Sequence, residues 1–368
     1  MFTLLRDIAY TCTISMIYEQ MSRSGTLGLL RAPVESLFIW RLPLDVLVAG
    51  GAGFVGSHLC ARLLKDGHHV VCVDNLLTGS KRNIQDLLNR EEFTFVYQDV
   101  TTPFSFTADA VFQLASPASP VGYWEHPFET IRVNTEGTML LLRECRRYGI
   151  PFLMASTSEA YGNPLVHPQT EEYWGNVNPT GPRSCYDESK RLGETITAEF
   201  HRQYDMDTRI VRIFNTYGPN SQLNDGRMIP NFIMQALSEQ PVTIHGDGQQ
   251  TRSICYVDDL VDGLVRAMFE PGSKGEIFNL GNPEERTVLE WAQIIVQLCH
   301  SESPILFDEK RVEDPERRRP NIDKAGSLLH WEPKIKPEVG LERTINWFRA
   351  EMEHSISCLS AMGRPESL

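Results

Sequence analysis

Asp45-Val-Leu-Val-Ala49-Gly50-Gly-Ala-Gly53-Phe54-Val55-Gly56 decides the fold of this chain. Its first half reads as a buried strand that runs straight into a glycine-rich turn. A helical pattern through Ser57, Leu59, Leu63 and Leu64 follows, Gly67 closes it, and His69-Val-Val-Cys-Val-Asp74 is the next strand. A strand, a glycine turn, a helix and a second strand ending in an acid bring backbone N–H groups to a pyrophosphate at a helix N-terminus. Gly50, Gly53, Phe54, Val55 and Gly56 are therefore the candidate cofactor turn. Asp74 is placed to bind a ribose 2′-hydroxyl and to repel a 2′-phosphate, which selects NAD over NADP. A glycine-rich turn that serves only packing would need neither the following helix nor the acid.

Outward from this unit the alternation continues. Asn75 and Gly79 lie in the loop after Asp74. Thr94–Val100 reads as a third strand, with Asp99 and Val100 at its end positioned to flank an adenine. Ala110–Ala115 is a fourth strand leading to Ser116, and Leu114 and Ser116 join the candidate cofactor residues. A helix over residues 130–147 and strands over 151–155 and 208–214 complete the series. This predicts an α/β fold, a Rossmann-like doubly wound parallel sheet with ligands at the C-terminal strand ends. Residues 45–219 read mainly as the NAD-binding domain. From residue 220 the alternation weakens, and 220–350 read mainly as a smaller substrate-binding α/β lobe with some chain crossing back. Residues 1–44 read as an N-terminal extension without fixed structure, a start near Met21 being the alternative, and 351–368 as a frayed tail.

The chemistry is carried by a second stretch, Gly181-Pro-Arg-Ser-Cys-Tyr186-Asp-Glu-Ser-Lys190. Tyr186 and Lys190 are four apart and share one face of a helix. A free tyrosine, with a pKa of about 10, is a poor base near neutrality, and a neighbouring ammonium favours its phenolate. The expectation is that Lys190 lowers the pKa of Tyr186 and makes it a base for an alcohol proton. The strand at 151–155 delivers Ser156, Thr157, Ser158 and Glu159 to the same rim; taken alone, Glu159 would read as a solvated loop acid, but beside Tyr186, Lys190 and the cofactor turn the functional reading is favoured. Asn215, Arg227, Arg252 and the run Arg317–Arg319 are scattered in sequence but suited to one anion, since the guanidinium fork binds diphosphate and carboxylate at two points. A solvated basic turn is the plain alternative for Arg317–Arg319. His58 reads as a packed histidine.

Composition narrows the setting. A chain of 368 residues with net charge −13 argues against nucleic acid or an anionic membrane as the main partner. No apolar run reaches the roughly 20 residues of a membrane helix, and Ile8–Tyr18 makes a poor secretory signal. Eight cysteines are scattered with no Cys-x-x-Cys, which fits free thiols in a reducing, cytoplasmic setting better than disulfides or zinc. No metal constellation is present in the sequence.

Together, Gly50-x-x-Gly53-x-x-Gly56, Asp74, Thr157 and Tyr186-x-x-x-Lys190 resemble the extended short-chain dehydrogenase/reductases. Leu114–Pro120, Ser156–Glu159, Tyr173–Pro179, Gly181–Glu188, Arg212–Thr216, Gln250–Ser253 and Asn279–Glu284 resemble, in order over roughly 45–350, the UDP-glucuronate decarboxylase (UDP-xylose synthase) family within that superfamily. Ala49, Ser189 and His245 depart from the usual threonine, glycine and tyrosine. The resemblance implies a redox-neutral cycle with a tightly held NAD. Tyr186, with Lys190 and Thr157, removes the O4 proton of UDP-glucuronate, and carbon dioxide leaves from the 4-keto sugar. Glu159 and Arg318 orient the carboxylate and manage the enolate, while Ser158, Asn215, Arg227, Arg252 and Arg318 contact the substrate. It also implies a homodimer through a four-helix bundle; the membrane anchor of animal members is expected to have no counterpart in this sequence. A 4,6-dehydratase would need an aspartate where Ser158 stands, and a 4-epimerase would need room to turn the keto sugar over. A binding protein that has lost catalysis would not need Thr157, Tyr186 and Lys190.

Overall fold

The computed structural model describes residues 43–310 and 315–362; the extension at 1–42 lies outside the described residues. Asp45–Ala49 forms β1, whose Val46, Leu47, Val48 and Ala49 are fully buried. The helix α1 (Phe54–Lys65) follows, then β2 (His69–Asp74), β3 (Phe93–Tyr97) and β4 (Ala110–Gln113). These strands pair in parallel, with Ala49 opposite Val73 and Gln113. A strand buried on both faces reads as a near-continuous apolar run, which is why β1 and β4 were legible. β3 ends at Tyr97, so Asp99 and Val100 follow it in the loop rather than closing the strand.

After α2 (Pro120–Glu125), the helix expected over 130–147 is a longer helical run with an irregular middle. It comprises α3 (Pro127–Arg132), a π-helical turn at Val133–Gly137 and α4 (Thr138–Tyr148). Then come β5 (Phe152–Thr157), α5 (Ser184–Tyr204) and β6 (Thr208–Ile213). The π turn faces α5, where the Asn134 side-chain amide donates to Ser189 Oγ at 3.0 Å. That contact gives Ser189, one of the departures from the family pattern, a packing role.

Beyond Ile213 the chain builds β7 (Thr216–Tyr217), α6 (Met228–Leu237), β8 (Val242–His245), β9 (Thr251–Ser253), β10 (Cys255–Tyr256) and α7 (Val257–Phe269). It then returns to the main sheet as β11 (Ile277–Leu280), parallel to β6. The sheet has seven strands in the order β11-β6-β5-β4-β1-β2-β3, a doubly wound parallel arrangement. The remaining elements are β12 (Glu285–Thr287), α8 (Val288–Cys299), β13 (Ile305–Asp308), β14 (Arg317–Arg318), α9 (Asp323–Leu329) and α10 (Pro337–Met362). β9 lies between β12 and β14, and β8 pairs with β13. The tail read as frayed from about residue 350 is helical to Met362, because α10 continues past its buried anchors Leu341, Ile345 and Phe348. The described residues from Leu44 onward form one compact unit.

A buried polar network fixes α5 against this sheet. Arg212 on β6 donates to both carboxylate oxygens of Glu194 on α5, at 2.9 and 2.7 Å. Ser156 on β5 donates to the same carboxylate at 2.5 Å. Arg212 also donates to the Tyr161 hydroxyl, which donates to Asn279 on β11 at 2.7 Å. Breaking a buried pair strands a charge, so Arg212→Met is expected to cost about 3–5 kcal/mol. Pairing it with Glu194→Leu is expected to restore part of that loss. Urea unfolding of both variants measures this, and equal stability of the single variant and the parent would refute it.

Candidate active site

The C-terminal ends of β1, β4 and β5 open on two adjoining cavities that share Gly50, Gly53, Leu114 and Ser116. The smaller, about 90 Å³, is lined by Asp74, Asn75, Gly79, Asp99 and Val100. The larger, about 850 Å³, is lined by Phe54, Val55, Gly56, Thr157, Ser158, Glu159, Tyr186, Lys190, Asn215, Arg227, Arg252 and Arg318. Each candidate cofactor residue, and Thr157, Ser158, Glu159, Tyr186, Lys190, Asn215, Arg227, Arg252 and Arg318, thus lines one of these spaces, whereas Arg317 and Arg319 do not.

The turn before α1 is shaped by contacts that a side chain would destroy. Gly50 has φ +80°, and a Cβ there would lie 2.6 Å from the Ala115 nitrogen. A Cβ on Gly56 would lie 2.1 Å from the Gly50 carbonyl oxygen. Asp74 accepts from the Ala52 and Leu76 backbone N–H groups at 3.0 and 2.8 Å, which aims its carboxylate into the smaller cavity. A side chain on Gly79 would sit 3.0 Å from both Asp74 oxygens and fill the space beside them. This cradle, with an acid at its far end, fits a dinucleotide whose pyrophosphate rests on the α1 N-terminus and whose ribose meets Asp74.

Tyr186 and Lys190 are carried on the first turns of α5 and are both buried. Lys190 donates to the Ala155 carbonyl on β5 at 2.8 Å, and its nitrogen stands 5.9 Å from the Tyr186 ring centroid. Burial pushes Lys190 down to about 7, opposed by Glu194. Tyr186 is pushed up to about 12 by burial, opposed chiefly by a hydrogen bond from Thr157. This corrects the expectation of a tyrosine already lowered by its lysine. Lys190 is spent on a backbone carbonyl, and desolvation outweighs what the surroundings return. Tyr123 stacks on Tyr186 with ring centroids 5.2 Å apart.

Glu159 is not a solvated loop acid. β5 ends at Thr157, which caps a short 3₁₀ turn through its hydroxyl, and Glu159 points inward from that turn. Arg318 Nη1 and Nη2 donate to its two oxygens at 2.5 and 2.7 Å, and Arg183 Nη2 lies 2.6 Å from Oε2. Burial opposes ionisation, but the arginines win and hold the carboxyl at about 2, the charge of Arg318 acting more strongly than that of Arg183. Arg318 arrives on β14, whose register sets it opposite Arg252 on β9. Of the basic run, Arg318 is buried and Arg317 is exposed, so the solvated turn describes Arg317 alone. Arg227 is drawn to Asp225 at 2.5 Å.

Sequence reading passed over Arg183 and Tyr123. Arg183 stands three residues before Tyr186, immediately after Gly181-Pro182, and its place in that motif was the available signal. Tyr123 follows the Ser-Pro-rich loop and offered none. His245 lines the larger cavity with its ring 3.8 Å from Asp308. His58 Nε2 donates to the Pro219 carbonyl oxygen at 2.9 Å, and burial lowers its pKa, as befits a packed histidine.

Residues 46–281 match the model of the NAD dependent epimerase/dehydratase family, and the chain belongs to that family. Among its members this chain is similar to UDP-glucuronic acid decarboxylases. It is 50% identical over 309 residues to UDP-glucuronic acid decarboxylase 1 of Danio rerio, covering 84% of this chain and 73% of the relative. It is 47% identical over 331 residues to UDP-glucuronic acid decarboxylase 4 of Arabidopsis thaliana, covering 90% and 73%. Among solved structures it resembles UDP-glucuronic acid 4-epimerase from Bacillus cereus in complex with UDP-glucuronic acid and NAD. There the TM-score is 0.75 at 28% identity, over 83% of this chain and 99% of that one. An epimerase from Methanothermobacter thermautotrophicus gives a TM-score of 0.79 at 33% identity, over 85% and 94%.

The Glu159 clasp makes a signed prediction. Arg318→Met removes the larger of the charges that keep the carboxyl ionised, so burial then raises its pKa. Residual activity of the variant is expected to fall on the acid side at a higher pH than in the parent. A pH–rate profile checks this; identical acid limbs would refute it.

Proposed function

We propose that this protein decarboxylates UDP-glucuronate to UDP-xylose in an NAD-dependent cycle with no net oxidation. The observation that carries the reading is the buried carboxylate–arginine cluster of Glu159, Arg318 and Arg183, set in one cavity with Thr157, Tyr186 and Lys190. An enzyme that only oxidises and reduces C4 needs the last group, whereas one that removes a carboxylate beside C4 uses both.

When bound, NAD supplies a two-electron acceptor that is restored within each turnover. Tyr186, hydrogen-bonded to Thr157, takes the O4 proton as C4 is oxidised. The C4 carbonyl then accepts the electron pair of the C5–carboxylate bond, so carbon dioxide leaves and an enolate remains. One proton is added at C5, and Tyr186 returns its proton to O4 as C4 is reduced. Lys190, anchored on Ala155, keeps a positive charge near the phenol when protonated. Asn215, Arg227 and Arg252 stand on the cavity wall where a diphosphate would cross it.

Incubation with UDP-glucuronate and trace NAD is expected to give UDP-xylose without accumulating NADH, read by mass spectrometry. A sugar nucleotide that keeps its carboxylate would overturn the reading, and chromatography would then identify a 4-epimer. Tyr186→Phe is expected to lower kcat by ~10²–10⁴-fold, the usual share of a general base. Full activity in that variant would exclude the assigned base.

We further infer a homodimer. Phe128 and Ile131 on α3 and Leu192 on α5 are exposed apolar side chains on adjacent helices, which suits a second copy of the same face. Analytical ultracentrifugation is expected to give a dimer for the parent and a monomer for Phe128→Glu/Leu192→Glu; a monomeric parent would refute it. Of six free cysteines among the described residues, five are buried, which fits the reducing cytoplasm as the place of action. Recovery of the tagged chain from an oxidising compartment would contradict that.

A further inference from the structure

Arg183 belongs to the carboxylate–arginine cluster, but the chemistry above gives it no step of its own. It stands at the start of α5, with its side chain 16% exposed and facing the larger cavity. Only Nη2 is committed to Glu159, at 2.6 Å. Its Nε is buried without a hydrogen-bond partner, the nearest acid being Asp187 at 3.9 Å, one helical turn on. Arg318 is engaged differently, since both of its terminal nitrogens are already spent on the two Glu159 oxygens. One carboxylate is therefore shared by two guanidinium groups, and one of these holds it by a single point. A buried donor without a partner is costly, and its cost is recovered when an acceptor arrives.

We propose that Arg183 is the specificity-determining contact for the substrate's carboxylate, and that it is transferred to that carboxylate from Glu159 when substrate binds. The inference rests on UDP-glucuronate being the substrate. A C6 carboxylate entering beside Thr157 and Tyr186 offers Arg183 a two-point partner that satisfies Nε as well as a terminal nitrogen. Glu159 stays bound to Arg318 alone. It is thereby released from one of the charges that hold its proton affinity low, so proton handling near C5 is available only while a carboxylate occupies the pocket. When carbon dioxide departs, the guanidinium loses its partner and Arg183 returns to Glu159. A neutral sugar such as glucose gives Arg183 nothing to bind and leaves the cluster closed.

The test separates affinity for a carboxylate from general pocket damage. Binding of UDP-glucuronate and of UDP-xylose, which lacks the carboxylate, is measured by calorimetry on NAD-loaded Tyr186→Phe protein, alone and with Arg183→Met or Arg183→Lys added, so that turnover does not consume the ligand. The parent must first convert UDP-glucuronate to UDP-xylose; if it does not, the functional reading fails and the role of Arg183 is not at issue. With an active parent, Arg183→Met is expected to weaken UDP-glucuronate ~10- to 100-fold, as loss of a charge-assisted pair does. UDP-xylose is expected to stay within about twofold. Arg183→Lys, which keeps the charge and loses the fork, is expected to fall between the two. Equal weakening of both ligands would overturn the proposal and leave Arg183 a structural residue. Unchanged affinity for both would overturn it too.

Discussion

The position of the catalytic helix rests on one buried ion pair. Glu194 and Arg212 join α5 to β6, and the hydroxyls of Ser156 and Tyr161 close the same network. Tyr161 carries it on to Asn279 on β11, whose backbone N–H is held by Glu171 at 2.8 Å. A pair removed from water gains little net stability over apolar residues of the same size. Its value here is directional, because a bidentate contact fixes the rotation and height of a helix where a greasy contact would let it slide. Lys190 lies one turn before Glu194 and Tyr186 one turn before that. The registry of the network is therefore handed to the two residues that meet the substrate.

Around that anchor the site keeps its ionisable groups away from their ordinary behaviour. Burial raises Tyr186 and lowers Lys190, while the arginines take Glu159 far below the carboxylate range. Tyr123 is raised as well, by burial above all. A phenol at about 12 and a carboxylate at about 2 are both reluctant to exchange protons near neutrality. Reactivity is then conditional on what enters the cavity, which protects the chain from idle proton chemistry in an empty site.

The features legible in sequence were those written in neighbouring residues. β1, the glycine turn, α1 and Asp74 lie within one run, and their order alone implies a parallel sheet and a dinucleotide cradle. Tyr186 and Lys190 share a helix face, so their meeting at the sheet rim was also readable. What failed depended on distance through space. The sign of the Tyr186 shift is set by enclosure from Tyr123 and the surrounding strands, not by the lysine four residues on. Glu159 could be placed at the rim from its strand end, but its direct ion pair with Arg318 could not be read, because Arg318 is 159 positions away in the chain. The π turn at Val133–Gly137 is set by packing against α5 and carries no helix-breaking proline. The tail became helix because Leu341, Ile345 and Phe348 found a core to bury in.

The return of the chain at β11 bears on how the protein can be made. Its backbone closes one side of β6, where the Ile210 N–H meets the Glu276 carbonyl and the Phe214 N–H meets the Leu280 carbonyl. A fragment ending near residue 219 would keep the glycine turn and the whole of α5, yet it would expose that row of donors and acceptors between Ile210 and Phe214. An apolar strand edge of this kind recruits other chains. The cofactor-binding half is thus not a portable module: synthesis must run on past residue 280 before the sheet is shielded from its neighbours.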